Sequence, residues 1–528
     1  MILTLVLIRS TLLCLCNRRK TLAPIKNCVI NLIIFGMKLF FMTFFCTVLC
    51  SLASAGAPLY VRFGRPTLPI VHAETEQVYT PSLASQNLER AIGLIDVTMA
   101  VYFDPQTFEM RRFYHLAQKA KSNERASVWM YTAGIEAVNA VLSGLKAAQQ
   151  KGENKLYDTH YARYVQLLDK LYAEADYYLG SFELVSYTQT KTWSVYAVDR
   201  VQEKGKANVS GVLNVYDDQM WLIRELLDSY KLTGKDAYLK KAEYLTAYVL
   251  DGWDVTRDSQ GKENGGIPWG PGYTTKHACS NAPLISSLVW LHERYQGKSD
   301  KIASRFIDAQ DRKTRRSAQV EKQQYYLHYA RAIYDWQKEQ LLNAEGVYAD
   351  MMGGCVPNCD IRYEEQDGKR YRAHTPLTKA VGKAYSYNSG TMLSGAVDLY
   401  RVTGKAKYAQ DGKALAKSSF QQFASLGKDL PQYYSFESSG FNNWFNGILL
   451  RGYHEATVLD AAIGDYVTAF QRNLDYGFEH FHRDGFLPTD LLKGWDAEKE
   501  PQGLEGMFMF TYAAQYALLG KHQLEQDE

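Results

Sequence analysis

Cysteine, histidine and proline are scarce in this sequence, at 8, 11 and 14 of 528 residues. Five of the eight cysteines (Cys14, Cys16, Cys28, Cys46 and Cys50) fall in the first 55 residues, leaving Cys279, Cys355 and Cys359. That remainder lacks the soft and imidazole ligands a zinc site needs, so no metal is expected. In an exported chain, "GGCVPNCD" can close a small disulfide loop between Cys355 and Cys359 and leave Cys279 free. Phosphate-cradling and dinucleotide or flavin fingerprints are also missing, and no cofactor is expected.

Charge of one sign is missing as well. The formal net charge is +3, but the basic residues of segment 1–55 (Arg9, Arg18, Arg19, Lys20, Lys26, Lys38) meet no acid there. Without them, 54 Lys+Arg stand against 57 Asp+Glu, which excludes a general nucleic-acid or anionic-membrane surface. The local run "DRKTRR" (311–316) reads as a solvated face. Long apolar runs are confined to the start of the chain. "MKLFFMTFFCTVLCSLASA" from Met37 has a basic start, an apolar core and an A-x-A site at Ala53-Ser54-Ala55. Residues 1–55 therefore read as a signal segment, 1–36 as an upstream extension, and the product as periplasmic or extracellular. Residues 28–55 are long enough to span a bilayer, but the A-x-A site favours cleavage over a stable anchor. Residues 56–82, with four prolines and no periodicity, read as a linker.

Alternating strand patterns are missing too. Apolar residues recur at spacings of 3 and 4, which predicts twelve helices over 83–103, 126–147, 157–179, 217–232, 236–252, 277–296, 322–342, 387–402, 406–424, 441–458, 464–480 and 503–519. They make one domain, 83–521, followed by a polar tail, 522–528. Segments 230–249 and 400–419 share a Tyr-x-x-Thr-Gly-Lys-x-x-Tyr frame, and "RYQGKSDK" (294–301) is a decayed relative. In each full copy a helix stops at a glycine and another starts within a few residues. Repeated helix hairpins in one large domain predict an all-α (α/α)6 toroid of six inner and six outer helices.

What the chain has in plenty is aromatics: 38 Tyr, 22 Phe and 9 Trp. Four segments join them to amides and glycines at predicted helix starts: "NVYDDQMW" (214–221), "NGGIPWGPGYTTKHACSNAP" (264–283), "YSYNSG" (385–390) and "GFNNWFNG" (440–447). Singly, each reads as a cap with packing aromatics; together at alternate helix starts they read as one lined pocket. In the first, Asp217 and Asp218 fit an N-terminal cap or a pair of catalytic carboxylates. Adjacent side chains can reach the roughly 5–5.5 Å carboxyl spacing of retaining glycosidases. "Asn208-Val-Ser210" fits a glycosylation acceptor in a eukaryotic secretory pathway. His277, His374 and His454 read as hydrogen-bonding residues, and "DGFLPTDLLKGW" (484–495) as a cleft-rim loop.

"YDDQMWL", "GGIPW" with "K-x-A-x-SNAP", "YSYNSG" and "FNGI" resemble, in order and separation, the signatures of the glycoside hydrolase family 76 α-1,6-mannanases, over roughly residues 85–520. The resemblance implies an (α/α)6 barrel and retaining, endo-acting cleavage of α-1,6-linked mannan. It implies Asp217 as nucleophile and Asp218 as acid/base, although the residues alone leave those roles interchangeable. It implies a sugar-binding set of Tyr216, Trp269, Tyr273, Lys276, Asn281, Tyr387, Asn388, Gly390, Trp444, Phe445 and Asn446, and a monomer whose partner is α-mannan or a mannose-containing glycan. Pro268, Ser389 and Asn446 depart from the usual family residues. The loop 346–360 stands where the family has an Asp-Gly and Cys-Asp pair. Exo-acting α-mannosidase, transglycosidase and non-catalytic mannan-binding readings remain open.

Overall fold

The computed structural model describes residues 81–495 and 503–526. The chain divides into two units, Met1–Val78 and Tyr79–Glu528, and every described residue lies in the second. The expected signal segment, and the linker up to residue 80, lie outside the described residues. No helix among those described is long and apolar enough to cross a membrane.

Twelve α-helices are described: α1 (Leu83–Tyr102), α2 (Val128–Gln150), α3 (Asn154–Ala175), α4 (Tyr216–Thr233), α5 (Asp236–Asp251), α6 (Pro283–Arg294), α7 (Lys322–Leu341), α8 (Ser386–Thr403), α9 (Ala406–Phe423), α10 (Asn442–Ala456), α11 (Gly464–Phe481) and α12 (Gly506–Gln526). Each overlaps one predicted span. The last runs through Gln526 with Leu524 buried, so residues 522–526 belong to a helix and not to a tail.

Burial sorts the helices into two sets. In α12, 15 of 21 residues are buried, whereas in α3 only Tyr164, Leu168, Leu171 and Ala175 are. An amphipathic helix with one buried stripe belongs on an outer layer, and one buried nearly all round belongs inside. The even-numbered helices form the inner set. Each packs on the next, α2 on α4, α4 on α6, and so on to α12, which packs back on α2. The odd-numbered helices flank them.

Where an inner helix passes outward, the turn is tight and repeats in chemistry. Gly234 and Gly404 are left-handed, at φ 72° and 62°, which glycine adopts without Cβ strain. Each donates its N–H to the carbonyl of the repeat's first tyrosine, Tyr230 or Tyr400, at 2.8 Å. The threonine before each glycine bonds back four residues, Thr233 to Ser229 at 2.7 Å and Thr403 to Leu399 at 2.6 Å. The second tyrosines, Tyr238 and Tyr408, are buried and start the outer helices.

The other set of connections is long: 103–127, 176–215, 252–282, 342–385, 424–441 and 482–505. These lead into the N-termini of the inner helices and carry most of the β-structure, including the hairpins Leu179–Val185/Thr190–Tyr196 and Tyr363–Gln366/Lys369–Arg372. This corrects the expectation of a chain without strands. A further hairpin, Lys301–Ile307/Arg315–Glu321, joins α6 to α7, and "DRKTRR" forms its turn and part of its second strand. Such hairpins pair locally and stay half-exposed, so little hydrophobic alternation marks them in the sequence.

Candidate active site

Asp217 and Asp218 are the second and third residues of α4. Val215, which precedes the helix, offers no side-chain cap, and the Asp218 N–H goes to Asp217 Oδ1 at 3.1 Å. Gln219 clamps this helix start to the 179–196 hairpin, donating to Tyr196 O at 2.8 Å and accepting from its N–H at 3.1 Å. The Tyr216 N–H donates to Trp269 O at 2.7 Å, which pins the "GGIPW" loop beside the dyad.

The two carboxyls occupy different surroundings. Burial pushes Asp217 up to about 6, opposed by donors from Trp269, Cys279 and backbone amides. Asp218 is buried too, and both burial and the charge of Asp217 push it well above the ordinary carboxylate range. Among the described residues no donor offsets that push. The Trp269 indole N–H makes no hydrogen bond of normal geometry within the protein, yet it lies near enough to ease ionisation of Asp217. The pair is therefore unequal: Asp217 ionises the more readily, and Asp218 holds its proton the more tightly.

Around Asp217 stand Trp269, Tyr273, Cys279 and Tyr387, each coupled to its carboxyl by a hydrogen bond or by charge. Trp269 stacks on His277 at 5.0 Å and packs against Tyr273 at 4.7 Å. Phe445 lies 4.7 Å from Tyr387, between centroids. Trp444 meets Trp221 at 4.7 Å and Trp129 at 5.3 Å, edge to face, under the same helix starts. Flat apolar faces beside a few polar groups suit a pyranose ring.

Other expected contacts turn inward. Lys276 is buried and donates to Asp254 at 2.8 Å and to Gly265 O at 2.5 Å. Asn281 is fully buried, accepting from the Ile267 N–H at 2.8 Å and donating to the carbonyls of Ile267 and His277. Asn446 accepts from Ser386 and donates to Glu437 O. Tyr216 is buried against Tyr248 and Gly252. Gly390 is a helix-crossing residue, since a Cβ there would come within 2.4 Å of Ile448 O on α10. Asn388 is fully buried and its amide finds no protein partner. Lys276, Asn281, Asn446 and Tyr216 thus hold loops and helix starts in place, Gly390 lets two helices approach, and the Asn388 amide alone of these is left without a partner among the described residues.

Three residues near the dyad carried no clear signal. The Cys279 thiol lies near enough to Asp217 to ease its ionisation, His277 underlies Trp269, and Asp350 acts on Cys279 and Tyr387 by charge. Asp350 lies in the long loop before α8, where only the resemblance drew attention to an aspartate. His374, read as a simple hydrogen-bonder, contacts Asp254 at 2.8 Å, and His454 contacts His522 at 3.0 Å. The Cys355–Cys359 disulfide is formed, with Cα atoms 5.1 Å apart, and Thr274 beside Tyr273 donates to Cys359 O at 3.1 Å. The bridge therefore braces the rim of the loop carrying Trp269 and Tyr273.

The sequence matches the model of glycosyl hydrolase family 76 over residues 153–299 and 314–475, and the gap between them covers most of the 301–321 hairpin. No curated protein matches it. Among solved structures, a family 76 glycoside hydrolase (mannosidase) from Bacteroides thetaiotaomicron is similar at TM-score 0.60 and 21% identity, covering 84% of this chain and 100% of that one. The GH76A α-1,6-mannanase from Salegentibacter sp. is similar at TM-score 0.53 and 18% identity, covering 83% of this chain and 99% of that one. An inactive variant of that enzyme, with two adjacent aspartates replaced by asparagine and α-1,6-mannotriose bound, is similar at TM-score 0.52 and 17% identity, covering 83% and 99%. At such identities the likeness is one of fold. The family model spans more than half of the chain, and this protein belongs to glycoside hydrolase family 76, as a glycoside hydrolase.

Proposed function

We propose that the protein hydrolyses α-1,6-linked mannan within the chain, with retention, using Asp217 as nucleophile and Asp218 as acid/base. We take the inner cycle of six helices and its six flanking helices as an (α/α)6 barrel, with the dyad where the inner N-termini converge. The observation that carries the reading is the unequal setting of two adjacent buried carboxyls: donors surround Asp217, while Asp218 meets only burial and its neighbour's charge.

In this mechanism Asp217 attacks the anomeric carbon and forms a glycosyl ester as the C1–O bond breaks. Asp218 gives its proton to the departing oxygen. Water then enters, Asp218 takes its proton, and the ester opens to release the sugar and restore both carboxyls. Trp269, Tyr273 and Tyr387 supply the walls that orient the ring. The mannan substrate is supported by what the similar structures are named for, including the bound α-1,6-mannotriose. Action as an exported monomer on a mannan outside the cell completes the reading.

The test incubates the full-length protein and its Asp217→Asn variant with linear α-1,6-mannan and follows product length over time. Oligosaccharides of mixed length from the wild type and none from the variant are expected. Monosaccharide alone from the first minutes would replace endo with exo action, and binding without cleavage would overturn the catalytic reading.

A further inference from the structure

Below the dyad, the inner helices line a half-open cavity of about 300 Å³. Neither Asp217, Asp218, Trp269, Tyr273 nor Tyr387 lines it. Arg224, on its wall, is seven residues further along α4 than Asp217, roughly 10 Å down the helix axis. Its mouth lies at Lys231 and Lys521, toward the C-terminal ends of α4 and α12, whose side chains are 47% and 31% exposed. The space exists because Ala140, Ser143, Gly447 and Ala514 present small side chains to it.

The wall mixes a larger apolar surface with charged groups, and those charges form ion pairs. Glu136 meets Arg451 at 3.1 Å, Glu455 meets Arg224 at 3.3 Å, and Asp228 meets Lys231 at 3.5 Å. Glu225 accepts from Asn139 at 2.8 Å, and burial, with the charges of Glu136 and Asp228, pushes its carboxyl up to about 8. Three such ion pairs leave the wall with little net charge to select an ion. It offers donors and acceptors side by side, which is what a sugar hydroxyl, itself donor and acceptor, requires. Trp290 and Trp444 line the same space, and the Trp444 indole donates to Glu136 at 3.0 Å. A volume at the lower end of the ligand-pocket range holds one ring and not a chain.

We propose that this lumen cavity is a second binding site, for a single neutral hexose, separate from the dyad and entered from the opposite end of the helix ring. Trp444 joins its wall to the aromatic contacts under the cleft, so occupancy is readable in intrinsic fluorescence.

The test titrates D-mannose, D-glucose and D-galactose into the full-length protein, following tryptophan fluorescence and saturation-transfer NMR. It compares the wild type with Ala514→Phe and Ala140→Leu, which fill the lumen and leave its ion pairs intact. At least one hexose should bind saturably to the wild type and roughly tenfold or more weakly to a filled variant that hydrolyses polysaccharide as before. Equal binding by folded filled variants would overturn the site, as would no saturable signal at up to about 100 mM hexose. A wild-type crystal soaked in the hexose gives an independent reading if neither variant folds: density in the lumen is expected, and density confined to the cleft overturns the proposal. Hexose binding is measured without turnover, so failure here is distinguishable from failure of the mannanase reading.

Discussion

Two buried acidic centres adjoin the "GGIPW" loop, and the chain treats them in opposite ways. Asp254 is fully buried, yet Lys276 and His374 contact the same oxygen at 2.8 Å each. Against the upward pull of burial, those partners hold its carboxyl well below the ordinary range. Asp217 and Asp218 have no ion-pair partner among the described residues, and both are pushed up. The first arrangement ties the backbone of the "GGIPW" loop to Asp254. The second leaves two uncompensated carboxyls side by side, the setting that the proposed mechanism uses. Both sit on motif-rich segments, so the difference lies in where the cations are.

Removing either carboxyl of the uncompensated pair has the largest expected effect. Asp217→Asn and Asp218→Asn should each lower the rate on α-1,6-mannan by roughly a thousandfold or more, read as reducing ends released. Neither should lower the melting temperature, because each removes a buried, unpaired ionisable group. A clear loss of folding in both variants would make the dyad a structural centre like Asp254.

The converse change breaks the compensated centre. Lys276→Met leaves Asp254 buried with only His374 beside it and should cost about 3–5 kcal/mol in urea unfolding. Adding Asp254→Asn should recover part of that loss. Little change in the single variant would mean that Lys276 is free to serve the substrate after all.

The two centres also titrate with opposite sign. Asp217 has a raised pKa, so the stability tied to its neutral form is present below about pH 4 and lost as pH rises through about 6. Asp254 has a lowered one, so its contribution is present above about pH 4 and lost as pH falls below it. Urea unfolding across pH 4–7 should therefore have a shallower downward slope in Asp217→Asn than in the wild type, with Asp218 and Glu225 supplying the rest, and keep its full slope in Asp254→Asn. Mannan cleavage by the wild type should show an acid limb near pH 6 as Asp217 ionises. An acid limb near pH 4 would mean that Asp217 is not desolvated in solution.

The smallest expected effect concerns the donors around Asp217. Cys279→Ala removes one, so the acid limb should move to slightly higher pH and the rate should fall roughly two- to tenfold. Cys279→Ser should restore both. Identical pH profiles for wild type, Ala and Ser variants would leave Cys279 as packing only.

Much of this architecture was legible from local pattern. The helices were readable because an inner helix and an outer helix both repeat near 3.6 residues, and the Thr-Gly-Lys turns announce where one hands over to the next. The hairpins were not, because seven-residue strands such as Lys301–Ile307 pair with a near neighbour and bury few side chains. In the candidate site, the adjacent aspartates were visible as a pair. Which motif residues face a sugar was not: "K-H-A-C-S-N" holds a structural Lys276, a donor Cys279 and a structural Asn281 within six positions.

Periodicity, glycine stops and the ordered motifs are properties of neighbours along the chain, so the twelve helices, the family and the acidic pair can be read from residue order alone. Solvent exclusion and charge pairing depend on groups far apart in sequence. Folding is what brings Lys276 and His374 onto one oxygen of Asp254, 22 and 120 residues away along the chain, and what leaves Asp217 and Asp218 with no ion-pair partner among the described residues. A buried carboxyl takes its protonation from the cations and donors that folding brings within a few ångströms, and that distance is not written in its neighbours.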